Sequence, residues 1–73
     1  MKLIINGEEK SFDSALTLAA LVEGMGMKPD RVAVELNREI VARGDWPHTR
    51  LADGDRLEIV HFVGGGSGVL AQP

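Results

Sequence analysis

The segment Val60-His61-Phe62-Val63-Gly64-Gly65-Gly66 limits what this chain can become more than any other. An apolar strand runs directly into three glycines. Without a Cβ, glycine takes backbone angles closed to other residues and lets another backbone approach closely. Three in succession neither sustain a helix nor add side chains to a core. The folded body is therefore expected to stop at Val63. Gly64, Gly65 and Gly66 then form a thin, flexible arm on a rigid strand. Fully extended, the arm spans about 10 Å, long enough to carry a carboxyl group into a narrow active site on another protein. Gly64-Gly65-Gly66-Ser67-Gly68 also has the composition of a flexible linker, although the Val69-Leu70-Ala71 that follows is more apolar than a linker requires.

The 73 residues suffice for one small domain. A chain this short buries only about 60% of its unfolded surface, so its stability is modest. Hydrophobic residues at 44% and charged residues at 26% place it among globular rather than disordered sequences. It has no cysteine, which excludes disulfides, thiolate metal sites and a thiol nucleophile and suits a reducing cytoplasm. The net charge of −3 argues against a nucleic-acid partner and suits docking on a basic protein. No apolar run approaches a membrane span or a signal-peptide core, and a cytoplasmic location is expected.

Along the chain, Met1, Leu3 and Ile5 alternate with Lys2, Ile4 and Asn6, the period of a strand. Asn6-Gly7 is a two-residue hairpin signal because both residues tolerate positive φ. Glu8 to Phe12 is the polar return strand, suited to a sheet edge. Thr17 is the expected N-cap of a helix of about two turns. Leu16 and Leu21 are placed to form a hydrophobic staple across that cap, and Leu18, Leu21, Val22 and Met25 make one apolar face. Gly26 suits the left-handed residue that closes a helix, and Pro29 prevents its resumption. Arg31 to Asn37 alternates as a third strand. A turn at Asn37-Arg38-Glu39 leads to a short fourth strand at Ile40-Val41. Ala42 to Leu51 reads as irregular, with Trp46-Pro47 capping one end of the core.

Asp53-Gly54-Asp55 is a turn; a short acidic turn lacks the loop of ligands that calcium needs. His48 and His61 have no metal-ligand spacing and read as structural, so no metal is expected. In the last strand, Arg56 to Val63, Leu57 and Ile59 are assigned to the core. Val60 and Phe62 then face outward, as does Ile4 of the first strand, and the three together form a candidate docking patch beside the glycine arm. The inverted assignment, with these residues covered, is the competing reading. No constellation of acid, base and nucleophile is present, and the glycine run lacks the Gly-Lys-Ser/Thr ending of a phosphate-binding loop. The chain reads as a co-substrate, not an enzyme.

The order of these elements resembles the ubiquitin-like β-grasp, an α+β fold with a mixed sheet of four or five strands packed on one helix. More narrowly, the chain resembles the ThiS family of sulfur carriers. The residues that carry the resemblance are Val32-Ala33-Val34-Glu35-Leu36-Asn37, Ile40-Val41, Trp46, Leu51-Ala52-Asp53-Gly54-Asp55 and Ile59 to Gly66. It covers nearly all of residues 1–66 and implies that the first and last strands are adjacent and parallel. It also implies a mechanism. A ThiF-like activating enzyme, consuming ATP, joins the terminal glycine carboxylate to AMP. A cysteine desulfurase persulfide or another sulfur donor displaces AMP and leaves a thiocarboxylate, from which thiazole synthase takes sulfur for the thiazole of thiamine. Mapped residue by residue, Gly66 is the reacting terminus, with Gly65 as runner-up.

Family members typically stop at Gly-Gly, whereas here Ser67 to Pro73 follow. The expected organisation is a domain over 1–63, an arm over 64–66, and an extension over 67–73 that a processing peptidase removes or that stays disordered. Three alternatives remain open from sequence: a related carrier serving molybdopterin or cysteine synthesis, a protein modifier, and a binding-only β-grasp module.

Overall fold

The computed structural model describes residues 1–62. A five-stranded sheet has the order β2-β1-β5-β3-β4, with β1 at Lys2–Ile5, β2 at Glu8–Ser11, β3 at Val32–Leu36, β4 at Glu39–Ile40 and β5 at Arg56–His61. β5 pairs parallel with β1 and antiparallel with β3; the other pairings are antiparallel. The last strand in sequence is thus the central strand in space, and it lies parallel beside the first, which is the adjacency that the β-grasp resemblance implies.

The turns follow from local chemistry. Asn6 and Gly7 take φ of 52° and 82°, the paired positive angles of a tight hairpin, and set Ile5 opposite Glu8. β2 is exposed throughout, as the edge reading requires. The helix α1 spans Leu18–Gly24. The Thr17 hydroxyl accepts from the Ala20 N–H at 3.1 Å and satisfies one of the free donors at its start. At its end Gly26 has φ of 77°. There the Gly26 N–H reaches the Glu23 carbonyl at 3.0 Å and the Met27 N–H reaches that of Val22 at 3.2 Å. This is a Schellman closure, which a Cβ at Gly26 would strain.

One face of α1 packs on one face of the sheet. Leu18, Leu21 and Val22 meet Leu3, Ile5, Val32, Val34, Leu57 and Ile59, and Trp46 and Leu51 complete the core. Leu16 and Met25 pack against it half-buried. A helix of seven residues is marginal alone, so this shared burial is what holds it.

Two segments depart from the sequence reading. Arg43–His48 is a 3-10 helix rather than irregular chain, and Pro29–Arg31 forms another 3-10 turn. In the first, Pro47 would interrupt a longer α-helix, and burial of Trp46 anchors the turn to the core. The fourth strand is Glu39–Ile40, one residue earlier than expected, and Ile40 is 79% exposed.

Candidate functional site: the central strand and its outer face

β5 is the strand whose sequence continues through Phe62 and Val63 into the glycines. On one edge the ladder to β3 runs from Leu36↔Leu57 to Val32↔His61. On the other, the Ile4 N–H donates to the Asp55 carbonyl and the Asn6 N–H to the Leu57 carbonyl, both at 2.9 Å. β1 then turns away, but the Asn6 side chain continues the contact. Its Oδ1 accepts from the Ile59 N–H at 2.7 Å, and its Nδ2 donates to the Ile59 carbonyl at 3.2 Å. A second asparagine acts at the strand's start. The Asn37 Oδ1 accepts from the Arg56 N–H at 3.0 Å, and its Nδ2 donates to Asp55 Oδ1 at 3.1 Å. Asp55 Oδ2 in turn accepts from the Ala52 N–H at 2.7 Å, closing the preceding turn. Sequence reasoning assigned both asparagines to turns and missed these clamps. No local signal could have found them, because the partners lie 53 and 19 residues away and are set by strand register.

Leu57 and Ile59 are buried, as assigned, and Val60 lies on the opposite face, half-buried and paired with Ala33. Ile4 lies on the same outer face and is also half-buried. The register separates it from the other two candidates. Ile4 is level with Arg56, six residues before Phe62 and about 20 Å along the strand. Val60 and Phe62 are close to the departure of the glycines; Ile4 is at the other end. Beside Val60 the outer face carries Glu58 directly opposite Glu35, which is itself opposite Ile40. Like charges facing each other across strands are mildly destabilising, and neither glutamate has an ion-pair partner among the described residues. Ile40 and this acidic pair were not singled out from sequence; the pairing register is what sets Ile40, Glu35 and Glu58 in one row across the outer face, next to the row of Val60 and Ala33.

Phe62 donates its N–H to the Arg31 carbonyl at 2.9 Å. With His61 it borders an open cleft of about 520 Å³ lined also by Met25, Met27, Lys28 and Arg31. His48 and His61 are both exposed, and no cluster suited to a metal occurs among the described residues. Among those residues no helix is long and apolar enough to cross a membrane. Gly64, Gly65 and Gly66, the expected arm and reacting terminus, lie outside the described residues, as do Val63 and the extension 67–73.

Comparison with known proteins bears on what this strand presents. The model of the ThiS family matches residues 3–66. A thiazole synthase from Paramagnetospirillum magneticum is 49% identical over 67 residues, 92% of this chain but 21% of that protein, so the chain spans about a fifth of that relative's length. The sulfur carrier protein ThiS of Bacillus subtilis is 35% identical over 65 residues, covering 88% of this chain and 98% of that one. The crystal structure of a thiamine biosynthesis protein (ThiS) from Geobacter metallireducens superposes with a TM-score of 0.79 at 33% identity, over 90% of this chain and all of that one. On the matched sequence and the shared fold, the chain belongs to the ThiS family.

Proposed function

We propose that the chain is a sulfur carrier for the thiazole of thiamine and that it acts as a co-substrate rather than a catalyst. The observation that carries this reading is positional. The central strand, held along both edges, is the one whose sequence continues into Val63-Gly64-Gly65-Gly66. The fold thus gives its firmest support to the strand that leads to the glycines.

The reacting group is the Gly66 carboxylate. The family match ends at residue 66, which favours Gly66 over Gly65. In the sequence Gly66 is bonded to Ser67, and an amide carbonyl offers no carboxylate oxygen, so a peptidase must first free it. An α-carboxyl is ionised at neutral pH and can attack phosphorus. A ThiF-like enzyme supplies ATP, pyrophosphate leaves, and the acyl adenylate now has AMP as a good leaving group. A sulfur donor such as a cysteine desulfurase persulfide displaces AMP and forms an acyl disulfide; a second thiol reduces its S–S bond, ending as a disulfide with the donor cysteine, and releases the thiocarboxylate, which passes its sulfur to thiazole synthase. The naming of relatives as thiazole synthases, with this chain's sequence matched inside them, supports that last partner. Val60 and Phe62, with Ile40, supply the apolar contact to the activating enzyme, and Glu35 and Glu58 favour a basic counterpart; Ile4 would contact the partner only if its footprint spans the whole sheet.

Mass spectrometry tests the reading. The chain ending at Gly66 is incubated with the activating enzyme, ATP and a sulfur source. Replacement of one terminal oxygen by sulfur is expected. An adduct on a lysine would make it a protein modifier, and an unchanged mass would leave a binding module.

A further inference from the structure

We infer that Asn6 is a positioning residue for the reaction at the glycine terminus, an inference that rests on the carrier reading above. β1 has to end at Ile5, because the chain turns through positive φ at Asn6 and Gly7. β5 continues to His61, so beyond Leu57 its β1 edge has no strand beside it. A side-chain amide has the same donor and acceptor as a peptide unit. Asn6 places that amide where the missing peptide would be, bonding both the N–H and the carbonyl of Ile59. The hairpin tip therefore lengthens the parallel ladder by one unit without lengthening β1.

The consequence lies seven residues on. Any slide or splay of β5 at Ile59 moves the end of the strand, His61, from which the sequence continues to Gly66. With Asn6 in place, β5 is gripped on both edges until four residues before Val63. Without it, the outgoing half of the strand is held by β3 alone. Reactions between a positioned carboxylate and a bound nucleotide lose rate steeply when the geometry loosens by about 1 Å. Asn6 touches neither nucleotide nor sulfur; it acts by fixing the strand.

The test uses chains ending at Gly66, with ATP–pyrophosphate exchange on the activating enzyme and amide hydrogen exchange at Ile59. Asn6→Gly keeps the positive φ of the turn while removing the amide. It is expected to lower the kcat of exchange about tenfold, to leave KM within about twofold, and to speed hydrogen exchange at Ile59. Asn6→Asp, which retains the acceptor but not the donor, should fall between. Thr17→Ala, which removes the helix cap far from β5, controls for general loss of stability and should keep wild-type kcat. Wild-type kcat in Asn6→Gly despite faster exchange at Ile59 would overturn the proposal, as would an equal loss in Thr17→Ala. Failure of the unsubstituted chain to be adenylated would instead sink the carrier reading, and the positioning role with it.

Discussion

The indole Nε1 of Trp46 donates to the Val41 carbonyl at 2.9 Å, while the ring itself is 98% removed from solvent. One residue thus closes the end of the core and ties the 3-10 turn Arg43–His48 to Val41, the residue that follows β4. The guanidinium of Arg43, 6.0 Å from the ring centroid, covers it from outside.

Trp46→Phe is expected to keep much of the packing but leave the Val41 carbonyl without that donor, at a cost of about 1–2 kcal/mol. Trp46→Ala also opens a cavity and should cost about 3–5 kcal/mol, a large share of the stability of so small a domain. Urea unfolding monitored by far-UV circular dichroism gives both values. Equal losses for the two substitutions would show that the hydrogen bond, not the ring, is what matters.

The turn at Asn37-Arg38 invites a stabilising change. Arg38 has φ of 74°, where an L-residue with a Cβ is strained by about 1–2 kcal/mol. Glycine removes that strain and costs roughly 0.5–1 kcal/mol in chain entropy. Arg38→Gly should therefore stabilise by up to about 1 kcal/mol, raising Tm by a few degrees. The reverse change at the equivalent place in the first hairpin, Gly7→Arg, should destabilise. A fall in Tm for Arg38→Gly would mean that the arginine side chain contributes contacts that outweigh its strain.

These two hairpins show where sequence legibility stops. Asn6-Gly7 announces its turn because both residue types favour positive φ; Asn37-Arg38 makes a similar turn with only one such residue, and nothing local says that Arg38 will follow. Alternation in β1, β3 and β5 was readable because one face is buried and the other is not. The helix was readable through Thr17 and Gly26, whose bonds are local. The parallel neighbours β1 and β5 came only from the family resemblance, since no local rule pairs Ile5 with Leu57 across fifty residues. The same non-local register decides that Ile4 is remote from Phe62, that Glu58 meets Glu35, and that Asn6 reaches Ile59. The candidate site was therefore legible as a strand and a set of glycines, but not as a surface.

The two faces of β5 should respond differently to a charge. Val60 is half-buried on the outer face, so Val60→Glu is expected to change stability by no more than about 1 kcal/mol. It should weaken binding to the activating enzyme by replacing an apolar contact with a carboxylate that has to be desolvated at the interface. Ile59 is 5% exposed in the core. Ile59→Glu buries an unpaired carboxylate and should cost more than about 4 kcal/mol, enough to unfold much of the population. Calorimetric titration of the folded Val60 variant against the enzyme is the deciding measurement. Unaltered affinity would move the docking surface away from the C-terminal half of β5.

The extension after Gly66 governs activity if the carrier reading holds. Adenylation needs a free carboxylate, and cleavage between Gly66 and Ser67 creates one where the family match ends. The full-length chain is expected to be inert in ATP–pyrophosphate exchange, and the chain ending at Gly66 active. A chain ending at Gly65 still closes on two glycines but is shorter by about 3.5 Å, enough to misplace the reacting carbon, and should lose at least tenfold in rate. Gly66→Ala in the trimmed form adds a Cβ beside the carboxylate and should slow activation without weakening docking on the sheet, since the contact residues of β5 are unchanged. The three lengths and the alanine form can be compared in one exchange assay with the cognate activating enzyme. Full activity of the untrimmed chain, verified by mass to retain Pro73, would remove Gly66 as the reacting residue.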